Sequence, residues 1–314
     1  SGAFGRHAQR KVIAAGMQAV VAGADLREDQ YTYSLLAAPN YPELTDELVT
    51  LNSDRGETGF IIIDTPMRKN ATEALAWVKN TAVATENGED GLVTNNTYSA
   101  AYYPAGSSTE PVAGKTVIVP PSHMALYTFA YNDNISFPWF APAGLTRGVV
   151  QNASAVGFIT SEDEFKAITL TQGQRDTMYT AKLNPITTFT GQGTVIYGQK
   201  TLASTTTALD RINVARLVAY LRERFDNIAR PFLFEQNDAQ TRARAKQVFE
   251  RFLADILSRR GVTDFAVVCD TSNNTPARID RNELYIDVAI EPTKSVEFIY
   301  IPIRIVNTGT LSNV

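Results

Sequence analysis

"GFIIIDTP" (59–66) is the stretch on which the fold turns. Phe60, Ile61, Ile62 and Ile63 form a short apolar run rich in β-branched residues, stopped by Pro66, which cannot donate to a strand ladder. A run without polar alternation is the pattern of a strand covered on both faces, as the strands of parallel sheets are. Just downstream, "ATEALAWVKNTA" (71–82) has helical periodicity, and just upstream "PELTDELVTLNS" (42–53) has it too. Further out lie the strand-like "QYTYSLLAAP" (30–39) and "TYSAAYYP" (97–104), and "RKVIAAGMQAVVAG" (10–23), apolar at helical spacing and closed by glycine. Strands alternating with helices predict an α/β layered domain with a buried, mostly parallel sheet. "SSTEPVAGKTVIVPPS" (107–122) reads as a surface excursion.

From about residue 183 the chain changes character, passing through "LNPITTFTGQGTVIYGQKTL" (183–202) into fewer and longer elements. One helix is expected from Asp210 to Phe225, with Ile212, Leu217, Leu221 and Phe225 on or near one face. A second is expected over 238–260, burying Ala245, Val248, Phe249, Phe252, Leu253 and Ile256. Strands follow at 264–270, 283–291 and 295–306. In the middle one Leu284, Ile286, Val288 and Ile290 share a face opposite Tyr285, Asp287 and Glu291, which is a sheet with one wet side. In the last, Ile299, Ile301, Ile303 and Ile305 share a face expected to pack on the domain's own helices. The expectation is two units: 1–182, the α/β domain, and 183–314, a C-terminal α+β domain with two long helices packed on a β-sheet.

With 314 residues, 44% hydrophobic and 20% charged, the composition is that of an ordinary globular protein with room for a sizeable core. A net charge of −4 gives no long-range attraction to nucleic acid or anionic membrane. Cys269 alone excludes an intramolecular disulfide, and with only His7 and His123 no Cys/His zinc cluster can be built. No run of 18 apolar residues occurs, and "SGAFGRHAQR" (1–10) has no hydrophobic signal core. A start on Ser1 without methionine reads as a fragment of a longer chain.

Candidates for chemistry are sparse, and each has a plainer reading. Asp64, at the C-terminal end of the apolar strand, is where open α/β sheets bind ligands, but without a second acid, a lysine or a histidine at a recognisable spacing an Asx turn before Pro66 accounts for it better. Gly191-Gln192-Gly193 is followed by a strand-like run, not by the helix N-terminus a phosphate cradle needs, so it reads as a turn and bulge. His123 has no nucleophile elbow to serve. The Asn-X-Thr sequons at Asn95 and Asn273 read as turns. Basic residues concentrate on the two C-terminal helices: Arg211, Arg216, Arg222 and Arg224, then Arg242, Arg244, Lys246, Arg251, Arg259 and Arg260. These are either a solvated face or a dock for an acidic protein surface. No interleaved aromatics support nucleic acid there.

Five blocks together resemble the tail sheath proteins of contractile bacteriophages, in order and in register: "FPWFAPAGLTRG" (137–148), "LNPITTF" with "GQGTVIYGQKTL" (183–202), "DRINVARL" (210–217), "FLFEQND" (232–238) and "VVCDTSNNTPARIDRNELYIDVAIEPTKSVEFI" (267–299). "AAYYP" (100–104) and "TVIVPPSHMAL" (116–126) are similar to the family's strand and loop ahead of the "APAG" block, although Ala105 stands where a tryptophan often follows. The resemblance implies a structural, non-enzymatic subunit without cofactors, polymerising around a tail tube and contracting to drive it through the host envelope. It implies other sheath copies, the tube protein, and baseplate and terminator proteins as partners, with no nucleic acid and no membrane. The expected place is the virion, after synthesis in the host cytoplasm. The family's N-terminal arm and first domain have no counterpart here. Arg242, Arg244, Lys246 and Arg251 become candidate tube-facing residues. Pro302, Ile303, Arg304, Ile305 and Val306 become the candidate inter-subunit strand edge, since Pro302 lacks an N–H and extended arms in the family complete neighbouring sheets. Two alternatives stay open: the sheath of a bacterial contractile injection device such as a phage-tail-like bacteriocin, and a small-ligand α/β enzyme with a site near Asp64.

Overall fold

The computed structural model describes residues 3–28 and 30–301. In chain order the elements are α1 (Ala3–Ala22), β1 (Leu35–Ala37), α2 (Thr45–Asp54), β2 (Phe60–Asp64), α3 (Ala71–Val78), β3 (Ser99–Tyr103), β4 (Ala105–Thr109) and β5 (Thr116–Val119). The middle of the chain supplies α4 (Pro121–Ile135), α5 (Gly144–Arg147), β6 (Ala155–Ile159), β7 (Phe165–Ala167), α6 (Gln172–Thr180), β8 (Leu183–Phe189) and β9 (Gly193–Ile196). The C-terminal part supplies α7 (Ile212–Ala229), α8 (Ala239–Ser258), β10 (Val262–Val268), α9 (Pro276–Ile279) and β11 (Asp287–Pro292).

β2 is buried along its whole length, as its unbroken apolar run requires, and sits inside a five-stranded sheet of order β1-β2-β3-β8-β9. The pairings β1–β2, β2–β3 and β3–β8 are parallel, and only β9 runs antiparallel. Period-2 alternation sends Ile61, Ile63, Ala101, Tyr103 and Leu183 to one face, where Leu44, Leu48, Ala74 and Trp77 cover them. Phe60, Ile62, Ala100, Tyr102 and Ile186 point to the other, under Met124, Ala125 and Phe129 of α4 and Ile212, Ala215 and Ala219 of α7. The helices around β2 are fixed by short polar devices. Asn52 exchanges two hydrogen bonds with the backbone of Gly59 (2.9 and 2.8 Å), which locks α2 to the start of β2. Asn70 and Glu73 form a capping box that starts α3.

α7 is shared between two cores. Its Ile212, Ala215 and Ala219 cover the parallel sheet, while Leu217 and Leu221 join Phe249, Leu253 and Ile256 of α8 with Val262 and Val267 of β10 in another. The fold is thus α/β plus α+β, as the hydrophobic pattern requires. The expected division between residues 182 and 183 falls between α6 and β8, and β8 is hydrogen-bonded to β3 in the parallel sheet.

Other expectations need correcting. The supposed surface excursion at 107–122 holds a β4–β5 hairpin in a four-stranded antiparallel sheet of order β5-β4-β6-β7. "PSHMAL" (121–126) is no loop but the first turns of α4: Pro121 stands at the first helical position, where the missing N–H goes unnoticed. Val248 lies on the outer side of α8 and is exposed, unlike Ala245, Phe249, Leu253 and Ile256. The strand expected at 295–306 is absent over 295–301, the part that lies within the described residues.

Candidate assembly site

Among the described residues the C-terminal sheet has two strands, β10 and β11, antiparallel with Val267 opposite Val288 and Phe265 opposite Ile290. One side, carrying Val267, Phe265, Val288 and Ile290, packs on α8 and its core. Among the described residues neither strand has a second strand neighbour, so both outer edges keep backbone donors and acceptors free of a ladder. An isolated two-stranded ribbon is marginal by itself.

The turn that joins its strands is a polar staple. Asn274, 1% exposed, accepts from the Tyr285 backbone N–H (2.8 Å) and donates to the Tyr285 carbonyl (2.9 Å). Asn273 donates to the carbonyls of Val268 (2.8 Å) and Tyr285 (3.2 Å) and to Asp287 (2.8 Å). Arg278 donates to the Asn273 carbonyl (2.6 Å) and lies 3.7 Å from the centre of the Tyr285 ring. The polar "TSNNTP" stretch therefore sets the register of the hairpin from inside, and the Asn273 sequon is buried.

Past β11, residues 293–301 have no regular secondary structure and, among the described residues, no strand partner. Val296, Phe298, Ile299, Tyr300 and Ile301 are between 68% and 87% exposed. This overturns the packing of Ile299 and Ile301 on the domain's own helices: both face solvent. The side chains that do turn inward are Ser295 and Glu297, which meet Gln199, Tyr179 and Arg211. Sequence reasoning missed this cluster. Its only signal is the polar pair one residue out of step with Val296 and Phe298. The candidate edge Pro302, Ile303, Arg304, Ile305 and Val306 lies outside the described residues.

Of the basic residues on α8, Arg242 is buried and donates to the Asn237 carbonyl (3.1 Å) and side chain (3.0 Å), tying down the start of the helix. Arg244 pairs with Glu235 at 3.4 Å and Lys246 with Glu250 at 3.8 Å. Arg251 is exposed and makes no ion pair among the described residues.

Asp64 is sealed, 2% exposed. Its oxygens accept from the backbone N–H of Asn40 (2.7 Å) and of Ser122 (2.5 Å) and from the Ser122 hydroxyl (2.7 Å). It therefore caps the start of α4 and pins the loop after β1. Burial pushes its pKa up to about 6, against these three donors. An open cleft of about 230 Å³ does lie over the ends of β1 and β2, but Asp64 does not line it. The cleft's guanidiniums are already matched: Arg10 with Glu43 and Glu89, Arg6 with Glu89, and Arg68 with Asp163. His123 is exposed; its backbone N–H donates to the Pro120 carbonyl (3.1 Å) and its carbonyl accepts from Asn152 (2.8 Å). The glycines at 191 and 193 have φ of +78° and +82° in the tight β8–β9 hairpin, a turn geometry.

The model of the phage tail sheath C-terminal domain family matches residues 204–306. The tail sheath protein of Vibrio phage KVP40 is 39% identical over 170 residues, 54% of this chain and 24% of the relative. That of Enterobacteria phage T4 is 38% identical over 181 residues, 58% of this chain and 26% of the relative. The matched stretch thus spans about a quarter of these relatives' length. In fold, the chain is similar to a subunit of the sheath complex of an extracellular contractile injection system in its contracted state, with TM-score 0.69 and 19% identity over 87% of this chain and 71% of the other. Residues 204–306 thus match the phage tail sheath C-terminal domain family, and about half of the chain is similar in sequence to phage tail sheath proteins.

Proposed function

We propose that this chain is part of a structural subunit of a phage contractile tail sheath, non-enzymatic, which polymerises with other copies around a tail tube and contracts to drive the tube through the host envelope. The observation that carries this reading is the pairing of a two-stranded sheet, open at both edges, with an adjoining segment whose apolar side chains face solvent. Each lacks what the other supplies. Strand addition satisfies the free backbone groups of the edge, and alternate side chains of the added strand set its register. The residues from Pro302 to Val306 continue the exposed segment in sequence and are the part proposed to reach a neighbouring sheet.

Contact with the tube is proposed for the outward basic side chains of α8, Arg244, Lys246 and Arg251. Exposed pairs are individually worth about 0.2–1 kcal/mol, and a lattice multiplies them over many copies. The virion tail is the proposed location, with baseplate and terminator proteins at its two ends and synthesis in the host cytoplasm. The sheath of a bacterial injection device shares the fold, and identities of 39% and 38% to phage proteins favour the phage reading.

The test is electron microscopy of the full-length protein mixed with purified tubes. Regular striated sheaths are expected. They should be lost on deletion of residues 302–314 and thinned, with altered salt dependence, in the double variant Arg244→Glu and Arg251→Glu. Dispersed monomers from the intact full-length protein would overturn the reading.

A further inference from the structure

The segment that leaves β11 has its polarity inverted. A terminal stretch settling on its own domain would turn Val296 and Phe298 inward and leave Ser295 and Glu297 in water. Here Ser295 and Glu297 face the body, and Val296 and Phe298 face out. Hydrophobic burial cannot select that arrangement, so specific polar contacts must.

Those contacts converge on one carboxylate. Tyr179, on α6, donates its hydroxyl to Glu297 Oε2 at 2.8 Å, and Gln199, after β9, donates its amide to Oε1 at 3.0 Å. Arg211, the residue ahead of α7, bonds the same Oε1 through Nε. Gln199 also reaches Ser295, and Asn213 donates to the Thr293 carbonyl at 3.3 Å. The Glu297 side chain is only 14% exposed. Burial and the adjacent Glu297 charge both push the Tyr179 hydroxyl up, so it remains a neutral donor. A carboxylate with three donors from three separate elements has a fixed place, and the backbone on either side of it is fixed in turn.

We propose that Glu297 is a positioning residue for the joint between copies: it clamps the start of the C-terminal arm to the subunit's own body, fixes the direction and register in which the arm departs, and keeps Val296 and Phe298 turned outward. Without the clamp those side chains would collapse onto their own subunit, and the strand would not be available to a second copy. The joint itself rests on the sheath reading above, whereas the clamp rests only on the contacts just described.

The test uses Glu297→Ala and Glu297→Gln in this chain, read by NMR backbone order parameters from 296 to 301, by chymotrypsin cleavage after Phe298 and Tyr300, and by the melting temperature. Glu297→Ala should drop the arm's order parameters below about 0.6 and raise cleavage by roughly tenfold or more, with the melting temperature of the body nearly unchanged. Glu297→Gln, which keeps the shape and one acceptor but loses the charge facing Arg211, should fall between. Arm order parameters and cleavage equal to wild type would overturn the clamp. A lowered melting temperature with cleavage throughout the body would also overturn it, by showing a general structural tie. In the full-length protein Glu297→Ala should slow or disorder sheath growth on tubes, and growth at the wild-type rate would overturn the positioning role. If the unaltered full-length protein forms no sheath at all, the functional reading fails while the clamp measurements still stand.

Discussion

Replacing Asp133 with alanine leaves the guanidinium of Arg216 inside the protein without its counter-ion. Arg216 sits on α7 and its side chain is 3% exposed; Asp133 sits on α4 and its side chain is 24% exposed. The pair is bidentate, with Nη1 donating to Oδ1 at 2.9 Å and Nη2 bonded to Oδ2, and the guanidinium stacks 4.9 Å from the centre of the Phe129 ring. Removing one partner of such a pair costs about 3–5 kcal/mol, because the remaining charge keeps its desolvation penalty. That loss is set against a total stability of about 5–15 kcal/mol. Arg216→Met behaves differently. It restores an apolar contact on Phe129 and leaves a carboxylate with access to water, so it should cost about 1–2 kcal/mol. Equilibrium urea unfolding of both variants, with equal slopes required, measures the difference. If Asp133→Ala loses less than about 1 kcal/mol, or if Arg216→Met is the more damaging, the buried-charge argument is wrong.

Asp64 predicts a pH dependence whose sign is fixed by its raised pKa. The folded group titrates at about 6 against 3.8 for an unperturbed aspartate, so its contribution to stability is fully present below about 4 and is lost as pH rises through 6, by about 3 kcal/mol in all. Asp64→Asn should remove that slope in unfolding measurements from pH 4 to 7. Asn274→Ala leaves the Tyr285 N–H without its acceptor and takes one of two donors from each of the Tyr285 and Asp270 carbonyls; it should cost about 1–3 kcal/mol, seen in urea unfolding and in faster amide exchange across β10 and β11. Gly157→Ala places a methyl 2.1 Å from the Lys166 carbonyl oxygen, so β6 and β7 must separate; a loss of about 1–3 kcal/mol is expected by thermal melting.

The legible parts of this fold are those where local pattern and burial coincide. "FIII" can only be a doubly covered strand, and Ile286, Val288 and Ile290 alternate because β11 has one packed and one wet side. Other parts depend on partners that sequence periodicity does not name. β8 pairs with β3 some 80 residues earlier, so the change of texture near 183 marks no break in the sheet. The prolines at 120 and 121 suggest a loop, yet they terminate β5 and open α4. Arg242 counts as surface charge in composition but is consumed by Asn237. In 295–301 the residue pattern fixes which side chains share a face without saying what covers that face. Periodicity alone assigns Ile299 and Ile301 to the subunit's own helices, whereas in the structure they face outward.

The sharing of α7 by two cores has a mechanical meaning. A tug on the C-terminal end of the chain enters at Glu297, crosses to Arg211 at the head of α7, and is then carried along an 18-residue rod whose flanks are embedded in both cores. Force entering there is shared between the parallel sheet and the α8 layer, because the same helix packs in both cores.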